Sequence, residues 1–351
     1  ADAREDHRRV LRIVPLVEEL HRRAPRIVDL THDVRFLIAI AHQHCGNTQR
    51  ALEEFVALRD GARLRLGRDA GAVARFAECA IEAGNQAYLR AALTDGHAFI
   101  EQGLDALQDP ASGLKRRAAL RLAALGHNRR GAILQLAGRL QDALAAYEQA
   151  LQSAEAAGEA YLLCHTLTDI GTALRFTDDA ASALRIAESR EVWRTRLRTK
   201  ERRGLMIDCS ERYSECLARN TPLTRAKLLA VGAEAMERGL LFQAADAFLC
   251  HAYCALQARE WSEALTAGLQ ALNTSALAED LKARLHAYHY LGVAAGMAGQ
   301  IDPALDYQDQ AMRLSADPMF EHSELKRLLR ANTEALLAGR PTLAPLPFTL
   351  A

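Results

Sequence analysis

The chain has 351 residues, 50% of them apolar, and its 44 Lys plus Arg are matched by 44 Asp plus Glu for a formal net charge of +0. That length and apolar share suffice for a large core, and the balanced charge excludes a long-range field that would draw in nucleic acid or an anionic membrane. No apolar run is long enough to span a bilayer, and the N-terminal ADAREDHRRVLRI lacks the apolar stretch of a secretion signal, so a cytoplasmic protein is expected. Aromatics are only 5% of residues, prolines number nine, and alternating Val, Ile and Thr-rich runs are missing. This is the composition of an all-α protein. Seven cysteines, an odd number scattered singly, suit a reducing compartment better than a disulfide framework.

In chain order, a helix over 4–22 within a capping region 1–32 is expected first. Helix pairs follow near 33–60, 68–107, 112–156, 158–197, 200–238, 240–274 and 277–315, with an elongated helix or an insertion around 95–112. The first pair, HQHCGNTQRALEEFVAL, carries Gly46, Ala51 and Phe55; the second, ECAIEAGNQAYLRAAL, offers Gly84. The clearest unit is RGAILQLAGRLQDALAAYEQAL at 130–151, with a small residue in its first helix (Gly131), a turn glycine (Gly138), and Ala143, Tyr147 and Ala150 on one stripe of its second. Gly171 and Ala183 repeat Gly131 and Ala143 at a distance of 40 residues, and Ala304 repeats Ala264 at the same distance. In the last unit Gly292, Gly299, Ala304, Tyr307 and Ala311 take the same roles. A C-terminal capping helix over 318–338, in a region 316–339, and a tail 340–351 with three prolines in seven residues complete the chain. The tail follows Gly339 and reads as an extended strap or a linker.

Gly131, Gly138, Ala143, Tyr147 and Ala150 fall on five signature positions of the tetratricopeptide repeat, which this unit resembles, although the early Trp and Leu positions of that family are unmatched. The resemblance covers roughly residues 30–340. It implies a right-handed α-solenoid, a superhelix of stacked antiparallel helix pairs over 33–315. The period exceeds the usual 34 residues, which lengthens the helices because the turns stay short. In such proteins the first helix of each pair lines the concave side and meets the ligand. Aligning on Gly131, Gly171 and Gly292 carries the ligand positions onto Asn128, Gln135, His165, Thr168, Thr172, Arg175, His286 and His289. Asn, Gln and His donate and accept, as an extended peptide backbone requires, and Arg175 suits a carboxylate. Polar residues also occupy any wet surface, so the set fits an empty groove as well. The Lys and Asn set of the family's carboxylate clamp is not found.

Other candidates for chemistry have plainer readings. CHAYC at 250–254 sets two thiols at i, i+4 with an imidazole between, but a structural zinc needs further ligands at recognisable spacing and none follows. Small buried side chains between repeats account for it. His42 and Cys45 in HQHC suit a packed helix end beside Gly46. The basic run RTRLRTKERR at 194–203 serves either as a grip for an acidic peptide or as a solvated connection. No phosphate loop, nucleophile elbow or HExxH motif nominates a reaction, so no catalytic residue, metal or cofactor is expected.

The leading reading is a non-enzymatic scaffold that binds a peptide or protein segment in its concave groove. Long-period repeats with polar inner helices resemble bacterial regulators that sense peptides or partner proteins. Lys occurs only at 115, 200, 227, 282 and 326, an Arg bias typical of GC-rich bacterial genomes. Such regulators carry an output domain, and the 4–22 helix is too little for a helix-turn-helix. The chain begins with Ala, so a fused output domain outside this segment is one expectation. A structural scaffold that self-associates or braces an assembly through its convex face or ends is the alternative, and a metal-dependent enzyme the third.

Overall fold

The computed structural model describes residues 28–67, 71–108, 113–197, 202–339 and 343–346, with a few isolated positions before them. Fifteen α-helices among the described residues follow one another, fourteen of them as antiparallel pairs. The pairs are α1 (Val28–His44) with α2 (Thr48–Arg63), α3 (Ala72–Leu89) with α4 (Leu93–Leu107), and α5 (Arg116–Leu136) with α6 (Leu140–Ala157). Next come α7 (Ala160–Leu174) with α8 (Asp179–Val192), α9 (Arg202–Ala218) with α10 (Pro222–Glu237), α11 (Leu241–Gln257) with α12 (Trp261–Leu277), and α13 (Leu281–Met297) with α14 (Ile301–Leu314). A 3-10 turn at Pro318–Phe320 leads into the last helix, α15 (Glu324–Leu337). The expected helix over 4–22 falls almost entirely outside the described residues. The 21-residue α5 and the connection before it take up the long spacing expected around 95–112.

The turns are short because the backbone reverses at single left-handed residues. Gly138 (φ 80°) lets the Arg139 N–H reach back to the Leu134 carbonyl at 2.8 Å, and Gly299 (φ 81°) lets Gln300 reach Ala295 at 2.9 Å. These bonds satisfy carbonyls that a helix end would otherwise leave orphaned. At the start of α10 Thr221 and Thr224 cap each other reciprocally, with Pro222 at the first helical position.

Small residues set the distance between paired helices. A Cβ on Gly131 would stand 2.5 Å from the Tyr147 ring, and one on Gly84 at the same distance from Ile100. Two expected registers are corrected. Gly292 packs on Gln308, sixteen residues on as Tyr147 is from Gly131, so Tyr307 is one residue out of phase. In the fourth pair Ser182 rather than Ala183 lies beneath Gly171, its hydroxyl donating to the Gly171 carbonyl at 2.6 Å, while Ala183 is exposed.

Stacking buries some first helices on nearly every side: in α11, 15 of 17 residues are buried, against three of 14 in the outer helix α14. The solenoid also closes on itself. Gly46, in the first turn, lies so near the end of α12 that an added Cβ would stand 2.6 Å from the Leu277 carbonyl oxygen. The Thr48 hydroxyl donates to the Glu279 carbonyl at 3.1 Å, and the Thr94 hydroxyl donates to the Asp317 carboxylate at 2.8 Å. Leu93, Ile100 and Ile133 of the early pairs share one apolar cluster with Leu285, Phe320, Leu325 and Leu329 from the other end.

Candidate functional site

The inner helices converge on a polar centre. Lys282, at the start of α13, points its ammonium over the ring of Tyr88 on α3, 5.3 Å from the centroid, and lies 3.7 Å from the Asp246 carboxylate on α11. Burial opposes its charge, yet Asp246, Tyr88 and Asp280 outweigh burial and hold the ammonium above the ordinary lysine range. Burial raises the Asp280 carboxyl and pushes Tyr88 up to about 12. The remaining space is a cavity of about 70 Å³ lined by Asn85, Arg129, His165, Gln243, Asp246 and Lys282 among others. That is room for a few water molecules, not for a polypeptide.

The far end of the same surface is different. There residues 343–346, Leu-Ala-Pro-Leu, lie along α13. The Asn332 side chain, on α15, reads both main-chain groups of one residue: its amide donates to the Ala344 carbonyl at 2.9 Å and its oxygen accepts from the Ala344 N–H at 3.0 Å. His289 Nε2 accepts the Leu346 N–H at 3.0 Å, and the Tyr290 hydroxyl donates to the Leu346 carbonyl at 2.8 Å. Leu343 seats against Gly296, where an added Cβ would collide with it. Beside the segment a crevice of about 340 Å³ is lined by Leu256, Trp261, Val293 and Met297 together with the polar Gln257 and Arg259, with Leu343 and Pro345 as its other wall.

The eight ligand positions carried over by resemblance are all buried, at 9% exposure or less. The structure does not gather them into one open groove. Asn128 donates to Asp169 at 2.7 Å, and Gln135 accepts from the Tyr147 hydroxyl at 2.9 Å. Thr168 bonds the Cys164 carbonyl and the Ser189 hydroxyl, and Thr172 bonds the Asp169 carbonyl, all within the fourth pair. Arg175, expected to take a carboxylate, instead donates to the Ser210 carbonyl at 3.2 Å and lies over the Tyr213 ring, burial lowering its pKa. His165 lies 3.4 Å from Asp169 and lines the central cavity; Thr168 lines a smaller neighbouring void. His286 is held neutral by burial and by Lys282, its pKa pushed down to about 3, and burial takes His289 to about 4. Of the eight, His289 is bonded to the described C-terminal segment, residues 343–346. The open-groove expectation is corrected for the centre: closure of the solenoid brings α13 onto α3 and fills the space with side chains.

Sequence reasoning missed Tyr88, Asp246, Asp280, Lys282, Tyr290 and Asn332. Asn332 lies beyond the last repeat, where no repeat alignment reaches. The thiols of CHAYC, Cys250 and Cys254, are fully buried in the largest apolar cluster. Its imidazole, His251, meets Glu263 of α12 at 2.7 Å, a carboxylate shared with Arg225. In the basic run, Arg194 pairs with Glu191 at 2.9 Å.

Stacked helix pairs with small residues at their crossings make the described residues an all-α solenoid. No helix among the described residues is long and apolar enough to cross a membrane. No family model matches the sequence, and no curated protein does. Among solved structures, the chain is similar to BtubC (BKLC) from P. vanneervenii, at 14% identity over 77% of this chain and 91% of that one, with a TM-score of 0.34. It is also similar to the TPR domain of P58(IPK), at 12% identity over 95% of this chain and 96% of that one, with a TM-score of 0.31.

Proposed function

We propose that the chain is a non-enzymatic scaffold that holds a segment of a partner protein in extended conformation, as the sensor or adaptor region of a bacterial cytoplasmic regulator. One observation carries this reading: Asn332, His289 and Tyr290 grip alternate residues of an extended chain by their main-chain groups. Main-chain bonds supply affinity whatever the sequence, and neighbouring apolar pockets choose the side chains. The polar centre, including His165 and Thr168, supports that surface as fixed framework.

The test uses the full chain carrying Leu343→Asp and Leu346→Asp, which drives its own segment off the helix. Panning this protein against a random dodecapeptide library should enrich peptides that lose about tenfold or more in affinity when Asn332→Ala is added, the cost of two main-chain bonds. Enriched peptides that bind with or without Asn332 would overturn the reading. A second reading is favoured by exposed leucines on outer helices, Leu184, Leu223 and Leu269, which suit assembly through the convex face. Sedimentation over a concentration series separates the two, since only assembly changes the mass.

A further inference from the structure

We infer that residues 343–346 are a resident competitor for the peptide site, and that the partner they exclude is an extended, proline-containing segment with a bulky aromatic side chain where the strap has Leu343 or Pro345. This rests on the peptide-binding reading above and adds its regulation and the chemistry of its ligand.

The geometry of the strap is that of a bound peptide. Leu343 meets Gly296 while Leu346 meets His289 and Tyr290, so the strap runs antiparallel to α13. Seven helical residues rise about 10 Å, and three extended steps cover about the same distance. The two lengths match only if the segment is extended.

The sequence of the strap is written for that register. The residues whose N–H groups are used are Ala344 and Leu346. The prolines of the tail stand at 341, 345 and 347, and none at 344 or 346. Proline has no N–H to give, so it is tolerated only where none is read. Moreover, both gripped residues immediately precede a proline, which pushes each of them to extended backbone before any contact forms. A segment that only linked two folded parts would have no reason to keep this phase.

The strap nevertheless fits its site incompletely. The crevice of about 340 Å³ between α11, α12 and α13 stays open beside Leu343 and Pro345. Its walls combine apolar and aromatic side chains (Leu256, Val293, Met297, Trp261) with the polar Gln257 and the cationic Arg259. That mixture suits an aromatic ring, whose body packs on apolar groups and whose face accepts a guanidinium, better than the aliphatic side chains present. The tether compensates for this weak fit. Residues 340–342 connect the strap to the end of α15, and so short a connection raises its effective concentration to the order of millimolar. A partner must therefore outcompete the strap through a better side chain, and its apparent affinity is reduced by the fraction of time the site is filled.

The experiment compares the enriched peptides on two full-length proteins, wild type and Leu343→Asp/Leu346→Asp. Binding to wild type should be weaker by about tenfold or more, from the tether's effective concentration, and the enriched sequences should carry an aromatic one residue before or one residue after the position whose main-chain groups need Asn332. Equal affinity for the two proteins would overturn the competitor while leaving peptide binding intact; loss of all Asn332-dependent binders would instead overturn peptide binding. Should the double aspartate variant fail to fold, hydrogen exchange on wild type decides. Saturation with a synthetic peptide of residues 340–351 in which Leu343 is replaced by Trp should speed exchange of the protein's own Ala344 and Leu346 amides, and unchanged exchange would overturn the inference.

Discussion

The middle and the C-terminal end of the inner surface use the same residue types to opposite effect. In the middle, α3, α5, α7, α11 and α13 converge; Asn128, Asp246 and Lys282 spend their hydrogen bonds and charges on neighbouring helices of the fold, and His165 lies against Asp169 of its own helix. At the end, past the last full neighbour, His289 and Asn332 reach main-chain groups of a segment with no regular secondary structure. The difference is one of supply. Where another helix is near enough, a buried polar group takes its partner from it; where none arrives, the group is left for an extended chain to satisfy.

The largest effect should come from breaking the middle. Lys282→Ala leaves Asp246 and Asp280 buried without their shared cation, and urea unfolding should show a loss of about 3–5 kcal/mol; a loss under about 1 kcal/mol, the value of an exposed pair, would show that the centre is wetter than its burial implies. Next in size is the response to acid. His286 and His289 have folded pKa values near 3 and 4, against 6.5 when free, so the unfolded chain binds protons first as pH falls. Their contribution is complete above about pH 6.5 and drains away as pH drops toward 4. The melting temperature should fall over that window, and less so in a His286→Gln/His289→Gln variant; parallel curves for the two proteins would refute the assignment. The smallest effect on stability belongs to the end. Asn332→Ala should cost about 1 kcal/mol in unfolding, yet amide exchange at Ala344 should rise far more than at any helix core position. A uniform rise in exchange would mean that the strap is part of the framework.

Much of the architecture was legible from spacing. Gly131 with Tyr147 and Gly84 with its helix pair could be read because a missing side chain at a helix crossing has to recur wherever the crossing recurs. The error of one residue at Ala183 arose where the spacing within the pair shortens by one, which a fixed period cannot follow, whereas Tyr307 was picked for its aromatic ring although the sixteen-residue spacing of Gly131 and Tyr147 falls on Gln308. The ligand positions were read less well. A repeat alignment knows which helix face points inward, but not how far away the opposite wall stands. Thus Thr172 and Arg175 point inward and are consumed by the fourth and fifth pairs, while Asn332 lies outside the repeat pattern altogether.

The sequence by itself determined that the chain is helical, paired and stacked, because those properties follow from local propensity and from small residues at regular intervals, and both are written in one dimension. Whether the coil stays open was decided only in three dimensions. The contacts of Gly46 with the end of α12 and of Lys282 with Tyr88 join residues more than 190 positions apart. No period encodes the distance between such residues; it is the accumulated result of every crossing angle between them.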